Sequence, residues 1–154
     1  IPGVGTFGSL AETFLKNNYT DILKDKIDSD CVVIAICSGF QIFFKKSDEN
    51  PDHSGIAIFD GNFKKLFSDQ VKIPNIGWRY LNIKIGGNDF SDFFYFNHSY
   101  FLNSHNDANI KSYLKYGNNT IPAFYNYKNF YGFQFHPELS YKSGIKILKT
   151  LLDK

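Results

Sequence analysis

Methionine is absent from these 154 residues, tryptophan occurs once and cysteine twice. Two cysteines, Cys31 and Cys37, make no disulfide framework. On an extended strand their even spacing points both side chains to one face, too far apart to bridge. A signal peptide is lacking, and so is any apolar run of spanning length, so a reducing cytoplasm is the expected compartment. Blocks of like charge are lacking as well. The formal net charge is +2, and lysines and carboxylates are dispersed, which argues against a nucleic-acid or membrane-surface protein. There is no internal repeat and no low-complexity linker. The length suits one domain with a sizeable core. The abundance of Phe, Tyr, Ile, Asn and Lys reads as compositional bias and carries no function. The missing methionine extends to the first position: the chain opens on Ile1-Pro2-Gly3-Val4-Gly5, the end of a strand running into a glycine-rich turn. Residues upstream of Ile1 are therefore expected.

What is present is organised around Val32-Val33-Ile34-Ala35-Ile36-Cys37-Ser38-Gly39-Phe40-Gln41. Its first half is a short β-branched run typical of a strand buried on both faces. From Gln41 through Ile42, Phe43, Phe44 and the following lysines the pattern turns helical, which places Cys37 on a strand-to-helix joint. A nucleophile there sits in a strained, crowded turn that demands small residues two before and two after, and Ala35 and Gly39 meet the demand. The following helix would aim free N–H groups at the sulfur, favouring thiolate and offering donors to an oxyanion. A free cysteine is also commonly a small buried hydrophobe, so the turn alone leaves both roles open.

In chain order, Ser9 and Glu12 have capping-box spacing and open a helix. The helical pattern breaks at Asn17-Asn18 and resumes with Ile22, Leu23 and Ile27. Ser47 to Gly55 is a polar loop. Ile56 to Phe59, Asn62 to Phe67 and Val71 to Ile73 read as short strands, and Pro74-Asn75-Ile76-Gly77-Trp78 as a turn. Leu81 to Ile85 and Phe93 to Phe96 read as strands about Gly86-Gly87-Asn88-Asp89. Ile110 to Tyr116, Ala123 to Tyr127 and Phe130 to Phe135 read as consecutive strands. Gly144 to Leu152 closes as a helix with Ile145, Leu148 and Leu152 on one face. The whole is an α/β domain rich in antiparallel strands in its second half.

The second chemical cluster is Phe133-Gln134-Phe135-His136-Pro137-Glu138. His136 ends a strand, and Pro137 stiffens the step to Glu138. This spacing lets a carboxylate hold one ring nitrogen and leaves the other for a thiol, as a nucleophile, base and orienting acid require. The plain alternative is a solvated strand-end turn. A metal site built from Cys31, Cys37, His98 and His136 would match no zinc spacing.

Cys37 with Gly39 and Gln41, together with the distant Gln134-Phe135-His136-Pro137-Glu138, resembles the catalytic signature of class I (triad) glutamine amidotransferases. Pro2-Gly3-Val4-Gly5 with Phe7-Gly8, Pro74-Asn75-Ile76-Gly77-Trp78, and Tyr95-Phe96-Asn97-His98-Ser99-Tyr100 are similar to the glutaminase subunits of imidazole glycerol phosphate synthases, in the same order from Ile1 to Leu152. The resemblance implies a flavodoxin-like α/β fold with a mostly parallel central sheet and an antiparallel extension. It also implies a single amidotransferase domain over 1–154 that lacks an N-terminal βα unit of about 30 residues or more. By the same resemblance Cys37 is the nucleophile, His136 the acid and base, and Glu138 its orienting group. Gly3, Val4 and Gly5, with the N–H of Ser38, form an oxyanion hole that in the family can require a peptide rotation. Gln41, His98, Ser99 and Tyr100 line the glutamine pocket. No metal or organic cofactor is implied. The implied partner is a (β/α)8-barrel cyclase that receives ammonia and makes imidazole glycerol phosphate for histidine synthesis, in a heterodimer with hydrolase and lyase chemistry. Pro74, Gly77 and Trp78 would lie at that interface. This sequence departs from the family at Ala35, usually Gly; at Arg79, usually Asn; and at Leu139, usually Lys. A related amidotransferase feeding another synthase, or a non-catalytic partner-binding subunit, are the alternatives.

Overall fold

The computed structural model of the chain describes residues 1–103 and 107–153. Its architecture is set by β1 (Val33–Ile36), four apolar residues too few for a helix and branched enough for a strand. β1 pairs in parallel with β9 (Phe130–Phe133), and the sheet continues in antiparallel order through β8 (Asn119–Tyr127) to β7 (Ile110–Tyr116). Alternation along β1 feeds two cores. Val33 and Ala35 pack with Phe7, Ala11 and Ile27 on one face, whereas Val32 and Ile34 pack toward Ile147 and Leu151 on the other. The first face is covered by α1 (Phe7–Lys16) and α2 (Tyr19–Asp28), which break where Asn18 takes a left-handed φ of 57°. The second face is covered by α4 (Tyr141–Leu152). Phe40, Phe44, Phe63 and Tyr125 pack largely edge to face within the first core, and each fully buried Phe contributes roughly 2–3 kcal/mol by leaving water.

Among the described residues parallel pairing is confined to β1–β9 and to β2 (Lys46–Ser47) against β3 (Asn62–Lys65), which also pairs with β6 (Tyr100–Leu102). β4 (Asn75–Ile85) and β5 (Asn88–His98) form a long hairpin. Gly86 and Gly87 both have positive φ, 56° and 79°; two such residues make the primed turn whose twist matches the strands it joins.

Several local expectations change in the structure. The helix α3 spans only Ser38–Gln41, starting earlier and ending where the sequence pattern was read to begin. Phe43 and Phe44 instead turn inward and are fully buried. Thr6, not Ser9, caps α1, its hydroxyl accepting from the Ser9 N–H at 3.4 Å. Ile56 to Phe59 is irregular, because Ala57 has φ 51° and the N–H groups of Ile56 and Phe59 go to the carbonyls of Ile42 and Phe43. Val71 to Ile73 is no strand either, since the Ser68 hydroxyl accepts from the N–H groups of Gln70 and Val71 and curls the chain. Asn75 to Trp78 is extended, being the start of β4. Cys31 is exposed and lies before β1 rather than on it. In α4 the buried residues are Gly144, Ile147 and Leu151, while Ile145 and Leu152 face solvent. Gly144 sits against the Pro137 carbonyl, and docking through a bare backbone rotates the helix away from the stripe its side chains suggest.

Candidate active site

Cys37 follows β1 directly and takes φ 51°, ψ −117°. A non-glycine residue rarely adopts this region, and it persists only where the surroundings enforce it. Its own backbone shows how. The Cys37 N–H donates to Phe133 O at 2.7 Å, while its carbonyl accepts from the N–H groups of Phe40 and Gln41 at 3.0 Å. The strand end is thus locked to β9 and the helix start to the same residue. The requirement for small neighbours holds in a specific way. A methyl on Gly39 would stand 2.7 Å from the carbonyl oxygens of Ile1 and Pro2, and one on Gly3 2.6 Å from the Cys37 Cβ. Ile1 is held beside β1 by a bond from the Ile36 N–H to its carbonyl, so the glycine turn that follows lies against the cysteine.

His136 arrives from the other side. Beyond β9 the chain stays extended, and the His136 N–H donates to Tyr95 O at 2.8 Å. The Ser140 hydroxyl donates to the His136 carbonyl at 2.6 Å and accepts from the Tyr95 N–H. A 3-10 turn, Pro137–Leu139, then brings Glu138 Oε1 to 2.7 Å from His136 Nδ1. Nε2 is buried and makes no hydrogen bond of good geometry, yet Cys37 is close enough to act on it. Burial works against the imidazolium and is the largest single effect. The contacts and charges of Cys37 and Glu138 together outweigh it and raise His136 from its ordinary 6.5 to about 9. The other buried side-chain polar atom without a partner among the described residues is the Ser38 hydroxyl, next to Cys37. Buried polar atoms are nearly always satisfied, and these two stand unsatisfied beside one sulfur.

Between them is a cavity of about 280 Å³ lined by Gly3, Gly5, Cys37, Ser38, Gln41, His98, Ser99, Tyr100 and His136. The structure thereby brings together most of the residues singled out in the sequence, with Gly77 and Trp78 outside the lining. Val4 is 74 % exposed and outside the lining, and Glu138 stands behind His136. Pro74, expected at an interface, also lines this cavity, and the Ile73–Pro74 peptide is cis. Glu49 and Asn97 line it unanticipated: Glu49 comes from an irregular polar loop with no motif, and Asn97 presents its carbonyl to Cys37 Sγ at 3.6 Å. Gln134 is a further functional residue that its sequence setting gives no role. It joins Gln41 at 3.4 Å to Cys37 Sγ at 4.0 Å, and its even spacing from His136 was the signal available. His98 has both ring nitrogens engaged, with Tyr100 O at 2.9 Å and the Asn75 amide at 3.0 Å. Burial first, then the nearby positive groups, lowers it to about 4 despite the Tyr100 bond, so this ring is neutral. Larger clefts exist, one of about 520 Å³ between β5 and α4, but its lining holds neither cysteine nor histidine. Among the described residues no group of three or more His, Cys, Asp or Glu is placed to hold a metal ion, and no helix is long and apolar enough to cross a membrane.

Beside the cavity Trp78 stacks on Tyr141 at 5.0 Å between ring centres and 11° between planes. Phe93, Leu139, Tyr141 and Ile145 are each more than half exposed around it. Contiguous apolar surface of this kind marks interaction sites.

The sequence pattern of the family described as "Glutamine amidotransferase class-I" matches residues 1–153. The imidazole glycerol phosphate synthase subunit HisH of Oceanobacillus iheyensis is 32 % identical over 154 residues, covering 97 % of this chain and 76 % of the relative. The protein of the same name from Methanocaldococcus jannaschii is 36 % identical over 160 residues, covering 99 % and 78 %, and that from Caldanaerobacter subterraneus is 36 % identical over 155 residues, covering 97 % and 75 %. A solved structure described as a glutamine amidotransferase superposes with a TM-score of 0.70 over 97 % of this chain and 76 % of its own, at 12 % identity, which is a likeness of fold. With the family pattern matched over residues 1–153 and relatives 32–36 % identical across nearly the whole chain, the chain belongs to the class-I glutamine amidotransferase family.

Proposed function

We propose that the chain is the glutaminase subunit of an imidazole glycerol phosphate synthase, hydrolysing L-glutamine at Cys37 and passing ammonia to a cyclase partner. The observation that carries the chemistry is His136 itself, held at Nδ1 by Glu138 at 2.7 Å and left with a buried, unpaired Nε2 beside the sulfur. The names of the relatives carry the synthase.

In this reading the Cys37 thiol passes its proton to His136 Nε2 as Sγ attacks the side-chain amide carbon of glutamine. The carbonyl oxygen becomes an oxyanion received by backbone N–H groups of the Gly3–Val4–Gly5 turn and of Ser38. His136 Nε2 protonates the leaving nitrogen, which departs as ammonia. Water, deprotonated by His136, then attacks the γ-glutamyl thioester, releasing glutamate and the thiol. Glu138 holds the ring and its positive charge. Gln41, Ser99 and Tyr100 bound the pocket, and the carboxylate of Glu49 suits the α-ammonium of the substrate. The lyase chemistry expected of the assembled synthase does not belong to this chain: the amide is broken by water, so the subunit is a hydrolase. Ammonia lost to water would be protonated, and a cyclase seated on the apolar surface around Trp78 and Gly77 would receive it undiluted. An aromatic anchor in such a patch is typical of an interface centre.

The test is glutamate release by the full chain, alone and with candidate (β/α)8-barrel cyclases, with Cys37→Ala as control. Turnover that requires Cys37 and rises with one cyclase is expected. Absence of turnover with every cyclase, together with no labelling of Cys37 by a glutamine-like electrophile, overturns the reading in favour of a binding subunit.

A further inference from the structure

A polar relay runs across the floor of the cavity, beginning at a residue no chemistry has yet claimed. Asn75 and His98 are register partners across the β4–β5 hairpin, and both are buried. Arg79 Nε donates to Asn75 Oδ1 at 3.0 Å. The Asn75 amide nitrogen meets His98 Nε2 at 3.0 Å, and His98 Nδ1 meets Tyr100 O at 2.9 Å. That carbonyl also lies 3.5 Å from Gln41 Nε2, which contacts Gln134 at 3.4 Å on the way to Cys37 Sγ.

The two ends of the Arg79–Tyr100 stretch fix the direction of every proton between them. A guanidinium has donors only and a backbone carbonyl accepts only. With Oδ1 turned to the donor Arg79, the Asn75 amide nitrogen must donate to His98 Nε2. Nε2 is then an acceptor, so the ring proton must sit on Nδ1, where it donates to Tyr100 O. Arg79 is itself held in place: Nη1 donates to Trp78 O at 2.8 Å, Nη2 to Ile76 O at 3.2 Å, and its Cζ lies 4.9 Å from the centre of the Tyr116 ring.

We propose that Arg79 is a positioning residue for the glutamine pocket, dictating through Asn75 the tautomer of His98 and, through the Tyr100 carbonyl, the setting of Gln41. The assignment of the cavity to glutamine is the reading above, on which the kinetic part of this inference rests. The proton arrangement does not depend on it. The charged groups acting on His98 are His136, across the cavity, and Arg79 on the paired strand. Both oppose a second proton on the ring, so the site keeps one imidazolium, that of His136.

The test is the ring-nitrogen NMR signature of His98 in the full chain, assigned by its loss in His98→Gln, together with kcat and KM for glutamine in the presence of the partner. The unaltered protein is expected to show the proton on Nδ1. Arg79→Met frees the Asn75 amide to turn over, so a mixture of tautomers is expected, with KM raised about fivefold for one misdirected hydrogen bond and kcat changed less. Arg79→Lys keeps an obligate donor and is expected to restore the Nδ1 form. Asn75→Asp removes the donor to Nε2 and is expected to move the His98 titration up from about 4 toward 6.5; it reads the same coupling should Arg79→Met not fold. An unchanged His98 signature in Arg79→Met, or in Asn75→Asp where that stands in, overturns the proposal. If the unaltered protein turns over no glutamine while the tautomer still follows Arg79, the pocket assignment falls and the relay stands.

Discussion

Cys37 carries a backbone conformation that its own side chain disfavours. At φ 51° a Cβ is strained and a glycine is not, so Cys37→Gly is expected to exceed Cys37→Ala in stability by about 1 kcal/mol, measured by urea unfolding. Both replacements are expected to abolish glutamate release without disturbing partner binding, since both delete the sulfur; substantial residual hydrolysis would remove Cys37 from the reaction. His136 and Glu138 divide their labour differently. Glu138→Gln keeps a group able to hold Nδ1 and loses only charge support, so a smaller loss of kcat is expected than for His136→Ala, which removes the proposed acid and base altogether. Equal losses would mean that Glu138 does more than orient. Leu139 and Arg79, the positions where the resemblance implies Lys and Asn, have different surroundings. Leu139 joins the exposed apolar surface, and Arg79 turns back into the hairpin to hold Asn75.

The elements that deliver these residues are short, and their junctions matter more than their lengths. β1 and the single-turn α3 serve to hold one strained residue between them. The 3-10 turn bearing Glu138 is held from behind by α4, whose Gly144 touches the Pro137 carbonyl. Gly144→Ala is expected to push the turn from the helix, costing about 1–3 kcal/mol by overpacking. Glutamate release should fall as well, because the displaced turn takes Glu138 from His136. Denaturant unfolding and kcat measured on one preparation check both effects, and a stability loss with unaltered kcat would show that the helix, not the turn, gives way. The same glycine explains why the apolar stripe of α4 is not its buried face: the sequence offers Ile145, Leu148 and Leu152, but the closest approach is made by a residue without a side chain. The hairpin shows the opposite case. Gly86-Gly87 marked its turn plainly, while the extension of β4 back to Asn75 was hidden by Pro74 and Gly77, which read as turn residues.

At the scale of the molecule the two buried histidines pull stability in opposite directions with pH. His136 is raised from 6.5 to about 9, so the folded state holds its proton where the unfolded chain has lost it. That contribution is full below pH 6.5 and disappears as pH climbs through 9. His98 is lowered from 6.5 to about 4, so the unfolded chain binds a proton that the folded state refuses, and stability declines as pH falls from 6.5 to 4. These two residues should therefore place the stability maximum near pH 6.5. His136→Asn is expected to flatten the alkaline limb and His98→Gln the acid limb, as read from urea midpoints across that range. A limb that survives its substitution would mean other groups govern it.

The sequence by itself determined the residues of the proposed chemistry and the joint that presents Cys37. A cysteine between small residues at a strand end, and a His-Pro-Glu step at another, are local patterns in which spacing and proline stiffness act within a few residues. It also determined β7, β8, β9 and the Gly86-Gly87 hairpin, because period-two patterning and turn glycines are local. Only the tertiary structure decided which distant atoms meet. Glu49 enters the cavity from a loop without periodicity, Gln134 bridges Gln41 to the sulfur, and Arg79 reaches His98 through Asn75 across a hairpin register. Such contacts depend on how the sheet, the hairpin and α4 settle against two shared cores, and close packing of elements far apart in the chain leaves no periodic trace in either segment.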